Sequence, residues 1–223
     1  KLFFVNPNMY FQMLKDDIDI IHTIGVRSFQ SYIAALISKK RNIPLVISDQ
    51  GGLTTHPEIV NSGFLGRLLY ILQKPMIRFI VNQATKISVA NEYEEEIFSR
   101  LAPRSKICII RNGINLNDFG NDTIDFKVKY LISEPFILFV GRFHSVKGVD
   151  VLIQAFNSIK DKPQVKNTKL VIMGVDFGFQ SKMLKMIEHF GLTDKVIVIK
   201  KPPREDVIAA YASCEFLVLP SRW

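Results

Sequence analysis

The segment FILFVGRFHSVKGVDVLIQAF, residues 136–156, indicates the fold of this chain more clearly than any other. Its first five residues, 136–140, are all apolar and have the length of a fully buried strand. After a turn that contains two glycines, apolar residues recur at helical spacing from Val149 onward. A buried strand that leads through a turn into a helix is the first half of a β-α-β unit, so the segment predicts a parallel sheet packed against helices.

The same alternation of short apolar runs and longer helical patterns extends from this segment toward both ends of the chain. Because strands and helices alternate, we expect an α/β protein whose parallel sheets are covered on both faces. Asn91 is the predicted N-cap of one helix. The predicted strands are Leu2–Val5, Ile18–His22, Pro44–Ser48, Lys86–Val89, Lys106–Ile110, Phe136–Val140, Lys169–Met173, Val196–Ile199 and Phe216–Leu219. The predicted helices are Ser28–Lys40, Gly63–Asn82, Glu92–Leu101, Val149–Lys160, Gln180–Phe190 and Arg204–Ser213.

The alternation weakens between Asn112 and Pro135, where Asn, Asp, Gly and Ser accumulate. This change predicts two α/β domains, residues 1–115 and 135–223, joined by a linker at 116–134. The chain of 223 residues starts and stops beside apolar runs, so we expect both domains to be incomplete.

The composition excludes several classes of protein. With 48% hydrophobic and 22% charged residues, the chain is not disordered, collagen-like or a coiled coil. Cys108 and Cys214 sit singly in apolar runs, which excludes a disulfide scaffold and indicates a reducing, cytoplasmic compartment. The four histidines and two cysteines lack metal-ligand spacing, so no metal is expected. The net charge of +8 favours a partner that carries phosphate or an anionic membrane.

The turn after residues 136–140 has the residue types of a phosphate-binding loop. Gly141 and Gly148 permit close backbone approach, Arg142 can bind a phosphate through two hydrogen bonds, and Lys147 adds a second positive charge. The turn leads into a helix, whose N-terminus also favours anions. It lacks the Walker A pattern, and residues 174–178 lack the dinucleotide pattern GxGxxG. The alternative interpretation is that both cations are solvated loop residues.

The string Phe136–Arg142, followed by Lys147-Gly148, resembles the donor-binding turn of glycosyltransferase family 4. The resemblance implies retaining enzymes of the GT-B fold, with two Rossmann-like domains that face a cleft. In this family the first domain binds the acceptor and the second binds a nucleotide-diphosphate sugar, which is a co-substrate; no separate cofactor is implied. The supporting pieces, in order, are Asp19–His22, Ile43–Ser48, Asn112–Asn115, Leu170–Gly174 and Tyr211–Ser221.

On the donor side, the resemblance assigns Arg142 and Lys147 to the diphosphate, where they would stabilise the charge that develops on the leaving group. Gly141, Gly148 and Gly174 would line the same site. The loop 200–203 would flank the nucleotide, although the family usually has a glycine near Lys200.

On the acceptor side, Gln50 stands where many family members have a histidine that approaches the donor sugar. Glutamine cannot act as a base, so we expect Gln50 to position sugar hydroxyls, with a plain turn residue as the alternative. By resemblance, His22, Asp49 and Gly51 belong to the same side; for His22 a role as a core histidine stays open. His56 is a less favoured substitute for the missing histidine.

The resemblance also implies a Glu directly after the Pro220–Trp223 string and a second Glu seven residues later, so we expect the coding sequence to continue in this way. The implied reaction moves the sugar to a hydroxyl acceptor with retention, by same-face attack. One alternative is a nucleotide-sugar epimerase of the same fold. The other is a non-catalytic basic module that binds membrane or nucleic acid; for nucleic acid, no recognised motif is present.

Arg67, Lys74 and Arg78 fall within roughly 40° of one another on a helix with 100° per residue. This basic stripe on an otherwise apolar helix predicts that the protein contacts the anionic inner face of a membrane. A protein that lies there would meet a lipid-linked acceptor. A solvated helix face is the alternative. Pro75 is expected to kink or split the helix.

Overall fold

The computed structural model describes residues 5–51, 53, 63–119 and 125–222. The chain divides into two compact units, Lys1–Gly113 and Ile114–Trp223. Within the described residues, each unit is built on a four-stranded sheet in which all paired strands are parallel. The prediction of an α/β chain with two Rossmann-like units is therefore confirmed.

The first unit has the strand order β1-β2-β3-β4, with Ile21 of β1 opposite Leu45 of β2. Its helices pack on a core of branched aliphatic residues, of which Leu45, Ile47 and Ile87 are fully buried. The elements are α1 Asn8–Lys15, β1 Ile21–Ile24, α2 Phe29–Arg41, β2 Leu45–Ser48, α3 Gly63–Gln83, β3 Lys86–Val89, α4 Glu92–Ser99 and β4 Ile107–Ile109, with a 3₁₀ turn at Arg104–Lys106.

The second unit has the strand order β7-β6-β5-β8, so the chain leaves β5 toward one edge of the sheet and returns to the other side of β5. In parallel sheets, ligands bind beyond the carboxyl ends of the strands at such a reversal. The elements are α5 Phe126–Lys129, β5 Phe136–Val140, α6 Val149–Ile159, β6 Lys169–Gly174, α7 Gln180–His189, β7 Val196–Lys200, α8 Arg204–Ser213 and β8 Phe216–Leu217, with 3₁₀ turns at Leu116–Phe119 and Ser145–Lys147.

Burial of the strands agrees with the prediction at the centre of the second sheet and differs at two edge strands, β1 and β8; both residues of β8 are exposed. The central strands β5 and β6 are buried along almost their whole length. In β1, by contrast, Ile21 and Thr23 are buried while His22 and Ile24 are exposed. The strand also begins at Ile21 and ends at Ile24, later than predicted, because its ladder starts where the Ile21 amide bonds the carbonyl of Pro44. The face of β1 that carries His22 and Ile24 is therefore exposed in the part of the chain that the structure describes.

Two helices of the first unit differ from the sequence prediction. Helix α1 was not predicted; it packs its apolar side on the core of the first unit through Met9, Tyr10, Met13 and Leu14. The predicted strand Leu2–Val5 lies mostly outside the described residues. Pro75 was expected to kink or split its helix; α3 continues through Pro75, so the helix is not split. Proline removes the bond to the carbonyl of Ile71, and both residues are on the exposed side, where water can bind that carbonyl instead.

Part of the predicted linker belongs to the core of the second unit. Phe126 of α5 is fully buried, and Ile132 beside it is almost so. Asp206 of α8 is buried as well, and its carboxylate accepts hydrogen bonds from Lys129 Nζ at 2.6 Å and 2.7 Å and from the Tyr130 hydroxyl at 2.5 Å. These bonds fasten the segment that follows α5 to α8.

Candidate functional site

The loops that follow β5 and β6 run side by side beyond the ends of their strands. The Gly141 amide bonds the carbonyl of Met173 at 2.9 Å, and the Phe143 amide bonds the carbonyl of Val175 at 2.8 Å. The Phe143 side chain is fully buried between them and the core. The hydrogen bonding of the sheet therefore continues into the loop that carries Arg142. This bonding fixes the backbone of Arg142 at the carboxyl ends of the strands.

Two glycines of the predicted donor site are required by this path. A Cβ on Gly174 would lie 1.8 Å from the carbonyl oxygen of Gly141. A Cβ on Gly148 would lie 2.0 Å from the carbonyl oxygen of Pro220, and Gly148 also has the left-handed φ of +67°. The close approach of other backbone atoms is thus enough to require glycine at both positions. That these glycines contact a sugar donor stays a prediction.

Arg142 is exposed at the edge of the sheet and stacks on an aromatic ring. Its Cζ lies 5.1 Å from the centroid of the Phe177 ring, which comes from the loop after β6. That loop is fixed by Asp176, whose Oδ1 accepts the amides of Gly178, Phe179 and Gln180. The bond from the Gln180 amide is the main reason why the pKa of Asp176 is below its usual value. Stacking leaves the guanidinium edge available for two hydrogen bonds to an anionic group such as a phosphate.

Lys147 is the last residue of the 3₁₀ turn and is half-buried. His144 caps this turn, because its Nδ1 accepts the amide of Val146 at 3.2 Å. Gly148 then reverses the backbone and α6 begins at Val149. The structure therefore places Arg142, Lys147 and the N-terminus of α6 in one loop at the switch point, as the sequence predicted for these residues, and gives His144 a structural role.

The segment after β8 closes over the same turn. Arg222 donates two hydrogen bonds to the carboxylate of Asp150, each 2.8 Å long, and a third to the carbonyl of Ser145. Its amide bonds the carbonyl of Val146 at 2.8 Å. The bonds from Arg222 lower the pKa of Asp150. This clamp was not predicted from the sequence, since residues 72 positions apart give no local signal.

The loop after β7 borders the site on its other side. The Lys201 amide bonds the carbonyl of Gly174 at 2.8 Å, and Lys201 has a left-handed φ of +50°. Glycine is the residue that adopts this conformation most easily. This chain adopts that conformation with a lysine, next to Lys200, near which the family resemblance predicts a glycine.

In the first unit, three of the predicted acceptor-side residues, Asp49, Gln50 and Gly51, lie on a turn that a buried glutamate holds. The carboxylate of Glu94 accepts the amide of Gly51 at 2.8 Å through Oε1 and the amide of Ala90 at 2.8 Å through Oε2. Asn91 caps α4, as predicted, by accepting the Glu94 amide at 2.9 Å. The sequence Asn91-x-x-Glu94 resembles a capping box, a signal that could have indicated the role of Glu94.

The same turn buries Asp49 and exposes Gln50. Asp49 accepts the Leu53 amide through Oδ2 at 3.1 Å, so it acts in holding the turn. His22 is the second residue of β1 and not its end; its Nε2 is 2.8 Å from Oγ of Ser48, the last residue of β2. Gln50 is therefore the exposed polar side chain of a fixed turn. His56 lies outside the described residues.

Among the side chains that the structure describes, no group of three or more His, Cys, Asp or Glu is arranged to hold a metal ion. Within the same residues, no helix combines the length and the apolar character needed to cross a membrane. Cys108 and Cys214 are free thiols. Both are half-buried, so they are more exposed than residues of the core.

Comparison with known proteins relates both units to sugar transfer. The family model for glycosyltransferase family 4 matches residues 2–118, and the model for glycosyl transferases group 1 matches residues 121–223. A curated relative is the GDP-mannose:cellobiosyl-diphosphopolyprenol alpha-mannosyltransferase of Xanthomonas oryzae pv. oryzae (strain PXO99A), 22% identical over 206 residues, which are 92% of this chain and 50% of the relative. The chain spans about half the length of the curated relatives it matches first.

Two solved structures have the same fold. Sucrose-phosphate synthase from Thermosynechococcus elongatus superposes with a TM-score of 0.70 at 18% identity, covering 96% of this chain and 53% of that protein. The Anabaena protein Alr3699/HepE, solved with UDP and glucose, superposes with a TM-score of 0.66 at 17% identity, covering 96% of this chain and 55% of that protein.

Proposed function

Because this chain belongs to glycosyltransferase family 4, we propose that it is part of an enzyme that transfers a sugar from a nucleotide-diphosphate sugar to a hydroxyl acceptor. The observation that carries the proposal is the loop at the switch point of the second unit. It combines an exposed arginine stacked on Phe177, a half-buried lysine and the start of α6. These groups have the chemistry that binds a diphosphate.

In the proposed reaction, Arg142 and Lys147 bind the diphosphate and stabilise the negative charge that grows on it as the glycosidic bond breaks. Arg142 suits this role because its guanidinium is held by the ring of Phe177 before any ligand arrives. Pre-orientation lowers the entropy that binding costs. The Arg222–Asp150 clamp supports the backbone around Lys147.

On the acceptor side, we assign Gln50 to positioning sugar hydroxyls through its amide. The Gly51 amide donates to Glu94 and the Leu53 amide donates to Asp49, and these two bonds fix the backbone on both sides of Gln50, which supports this role. The reaction proceeds with retention: the acceptor hydroxyl attacks the face from which the diphosphate leaves, and the departing phosphate oxygen takes the proton. His22, beside Ser48, is assigned to the same side of the reaction.

The substrates named for similar proteins suggest the class of donor and acceptor. The Xanthomonas relative is named for a GDP-mannose donor and a diphosphopolyprenol acceptor, and the Anabaena structure contains UDP. We propose a lipid-linked acceptor for this chain, and leave the base of the donor to a screen of nucleotides.

The exposed face of α3 supports action at a membrane surface. Phe64, Leu68, Ile71 and Leu72 are exposed and recur at helical spacing, and Phe64 is 84% exposed. Lys74 and Arg78 follow on the same helix and are also exposed. An apolar helix face beside cations is what binds an anionic lipid surface. The side chain of Arg67, the third member of the predicted stripe, lies outside the described residues.

The test is a transfer assay on the protein extended to the length of its relatives, with a panel of nucleotide-diphosphate sugars and a lipid-linked acceptor. The proposal expects a product whose anomeric configuration matches the donor, as read by NMR. An epimerase would change the sugar while no acceptor gains one. Absence of both reactions with every donor would contradict the proposal.

A further inference from the structure

A carboxylate stands at the start of α6, beside the loop to which the diphosphate is assigned. Asp150 is the second residue of α6 and the acidic residue of its first turn. Lys147 lies three residues before it, on the other side of the backbone reversal at Gly148. A negative charge therefore lies next to the place where the proposed donor brings further negative charge.

The position of Asp150 at the helix start makes this charge matter. The first amides of a helix have no partner within the helix and attract anions. Gly148, the cap residue of α6, has no side chain to bond them. The carboxylate of Asp150 is held by its own amide and by that of Val151, which contribute to its lowered pKa. Asp150 thus occupies part of the field that would otherwise act on a phosphate.

Arg222 pairs with this carboxylate through both of its terminal nitrogens. Nη1 donates to Oδ1 and Nη2 donates to Oδ2, each at 2.8 Å, which is the strong two-bond geometry of an arginine with a carboxylate. The Asp150 side chain is 19% exposed and that of Arg222 is 43% exposed, so water screens the pair only in part. These bonds are the largest cause of the lowered pKa of Asp150.

The segment that carries Arg222 has further attachments to the turn that do not involve Asp150. The Arg222 amide bonds the carbonyl of Val146 at 2.8 Å, and its guanidinium also donates to the carbonyl of Ser145. The two bonds to the carboxylate therefore do more than attach the segment, because they also neutralise a charge.

We infer that Arg222 keeps the start of α6 favourable for the donor's diphosphate by neutralising Asp150. Without this arginine, the carboxylate would repel the diphosphate and would compete with it for Lys147 and for the first amides of α6. Arg222 is thus a positioning residue that acts on the ligand through Asp150. The inference rests on the proposed function, because it takes this loop as the diphosphate site.

The experiment compares nucleotide affinity in four proteins that differ in the local charge at this pair. The protein extended to the length of its relatives is titrated by calorimetry with UDP, GDP and ADP, as the parent and as Arg222→Gln, Asp150→Asn and Arg222→Gln/Asp150→Asn. The pair carries no net charge in the parent and in the double variant, one negative charge in Arg222→Gln and one positive charge in Asp150→Asn.

Affinity for the preferred nucleotide should follow this charge. We expect Arg222→Gln to bind about tenfold more weakly than the parent, because an unpaired carboxylate then faces the diphosphate. Asp150→Asn should bind roughly threefold more tightly, since the freed arginine is partly screened by water. The double variant should return to within about threefold of the parent. A pair that only held the backbone would instead lose affinity in all three variants.

Lys169→Gln is the matched control. Lys169 pairs with Glu134 at 3.2 Å, so its loss also leaves a carboxylate unpaired and changes the net charge by the same amount. Lys169 begins β6, whereas the donor loop lies beyond the other ends of the strands, about 20 Å away at ~3.3 Å per residue. This distance exceeds the screening length of about 8 Å at physiological salt, so the affinity should not change.

Loss of affinity in Asp150→Asn, or no recovery in the double variant, would overturn the inference and leave the pair as a backbone support. Equal loss in Arg222→Gln and Lys169→Gln would also overturn it, since net charge alone would then be the cause. If Arg222→Gln proves too unstable to titrate, Asp150→Asn decides alone: tighter binding supports the inference and unchanged or weaker binding overturns it. Absence of nucleotide binding in the parent would overturn the proposed donor site together with this inference, whereas binding in the parent with another order of variants overturns this inference only.

Discussion

At the scale of single residues, the buried carboxylate of Asp206 is the clearest test of how the second unit is held together. Burial raises its pKa, but the hydrogen bonds from Lys129 and Tyr130 outweigh burial and bring the pKa below its ordinary value. The pKa of Tyr130 is raised to about 12 by burial and by the same carboxylate. Both shifts show that the native state favours charged Asp206 and neutral Tyr130.

Asp206→Asn is therefore expected to lower the free energy of unfolding by about 1.5–3 kcal/mol at neutral pH, the range for hydrogen bonds to a charged group. Because the native pKa of Asp206 is lowered, its contribution is present above the ordinary pKa of ~4 and is lost as pH falls toward the native value. Urea denaturation at pH 7 and in acid measures this. Asp161→Asn, at an exposed position of the same unit, is the control. Identical curves for the two variants at pH 7 would contradict the role of Asp206.

At the scale of elements, the segment 220–222 and the turn before α6 are predicted to depend on each other through Gly148. Gly148→Ala must accept a left-handed φ, at ~1–2 kcal/mol, and must also push away the carbonyl of Pro220. Gly191→Ala has the same φ problem, with φ +60°, but nothing within 4 Å of the new Cβ.

We expect both alanine variants to lose stability, but only Gly148→Ala to speed hydrogen exchange at the Arg222 amide, which bonds the carbonyl of Val146. Mass spectrometry of exchange measures this directly. Unchanged exchange in Gly148→Ala would mean that the segment does not rest on the turn.

Helix α3 carries the prediction of membrane binding. Each cation near an anionic surface is worth ~1 kcal/mol, so Arg67→Gln/Lys74→Gln/Arg78→Gln should reduce partitioning to anionic vesicles by about two orders of magnitude at low salt. Lys15→Gln/Arg104→Gln/Lys162→Gln is the matched control. Equal co-sedimentation of the two triple variants, or no co-sedimentation of the parent, would contradict membrane binding. The stripe would then be a solvated helix face.

The elements also show what local sequence could and could not predict. Buried strands such as β5 and the capped start of α4 follow from apolar runs and from Asn91, because their causes are local. The start of β1 depends on its pairing with β2. The role of Glu94 depends on the amide of Gly51, 43 residues away in the chain. Pro75 is tolerated because α3 is exposed there, which only the packing decides. Long-range contacts are therefore where the sequence prediction failed.

At the scale of the whole molecule, the two units divide the proposed chemistry. In the proposed reaction, the second unit contributes the cations for the diphosphate, and the first contributes the turn of Gln50. The sequence predicted the candidate residues of the donor loop, since Arg142 and Lys147 lie close together in the chain. It could not predict the ring of Phe177 or the clamp of Arg222, which come from other loops.

We propose that Arg142 and Lys147 bind the diphosphate of the donor, and calorimetric titration with UDP, GDP and ADP measures this binding. The titration uses the protein extended to the length of its relatives and then its Arg142→Ala, Lys147→Ala and Lys162→Ala variants, the last being an exposed lysine of the same unit. We expect Arg142→Ala to weaken binding of the preferred nucleotide by ~1.5–3 kcal/mol, roughly ten- to hundredfold. Lys147→Ala should act in the same direction, and Lys162→Ala should have no effect. Unchanged affinity in both Arg142→Ala and Lys147→Ala would contradict the proposal.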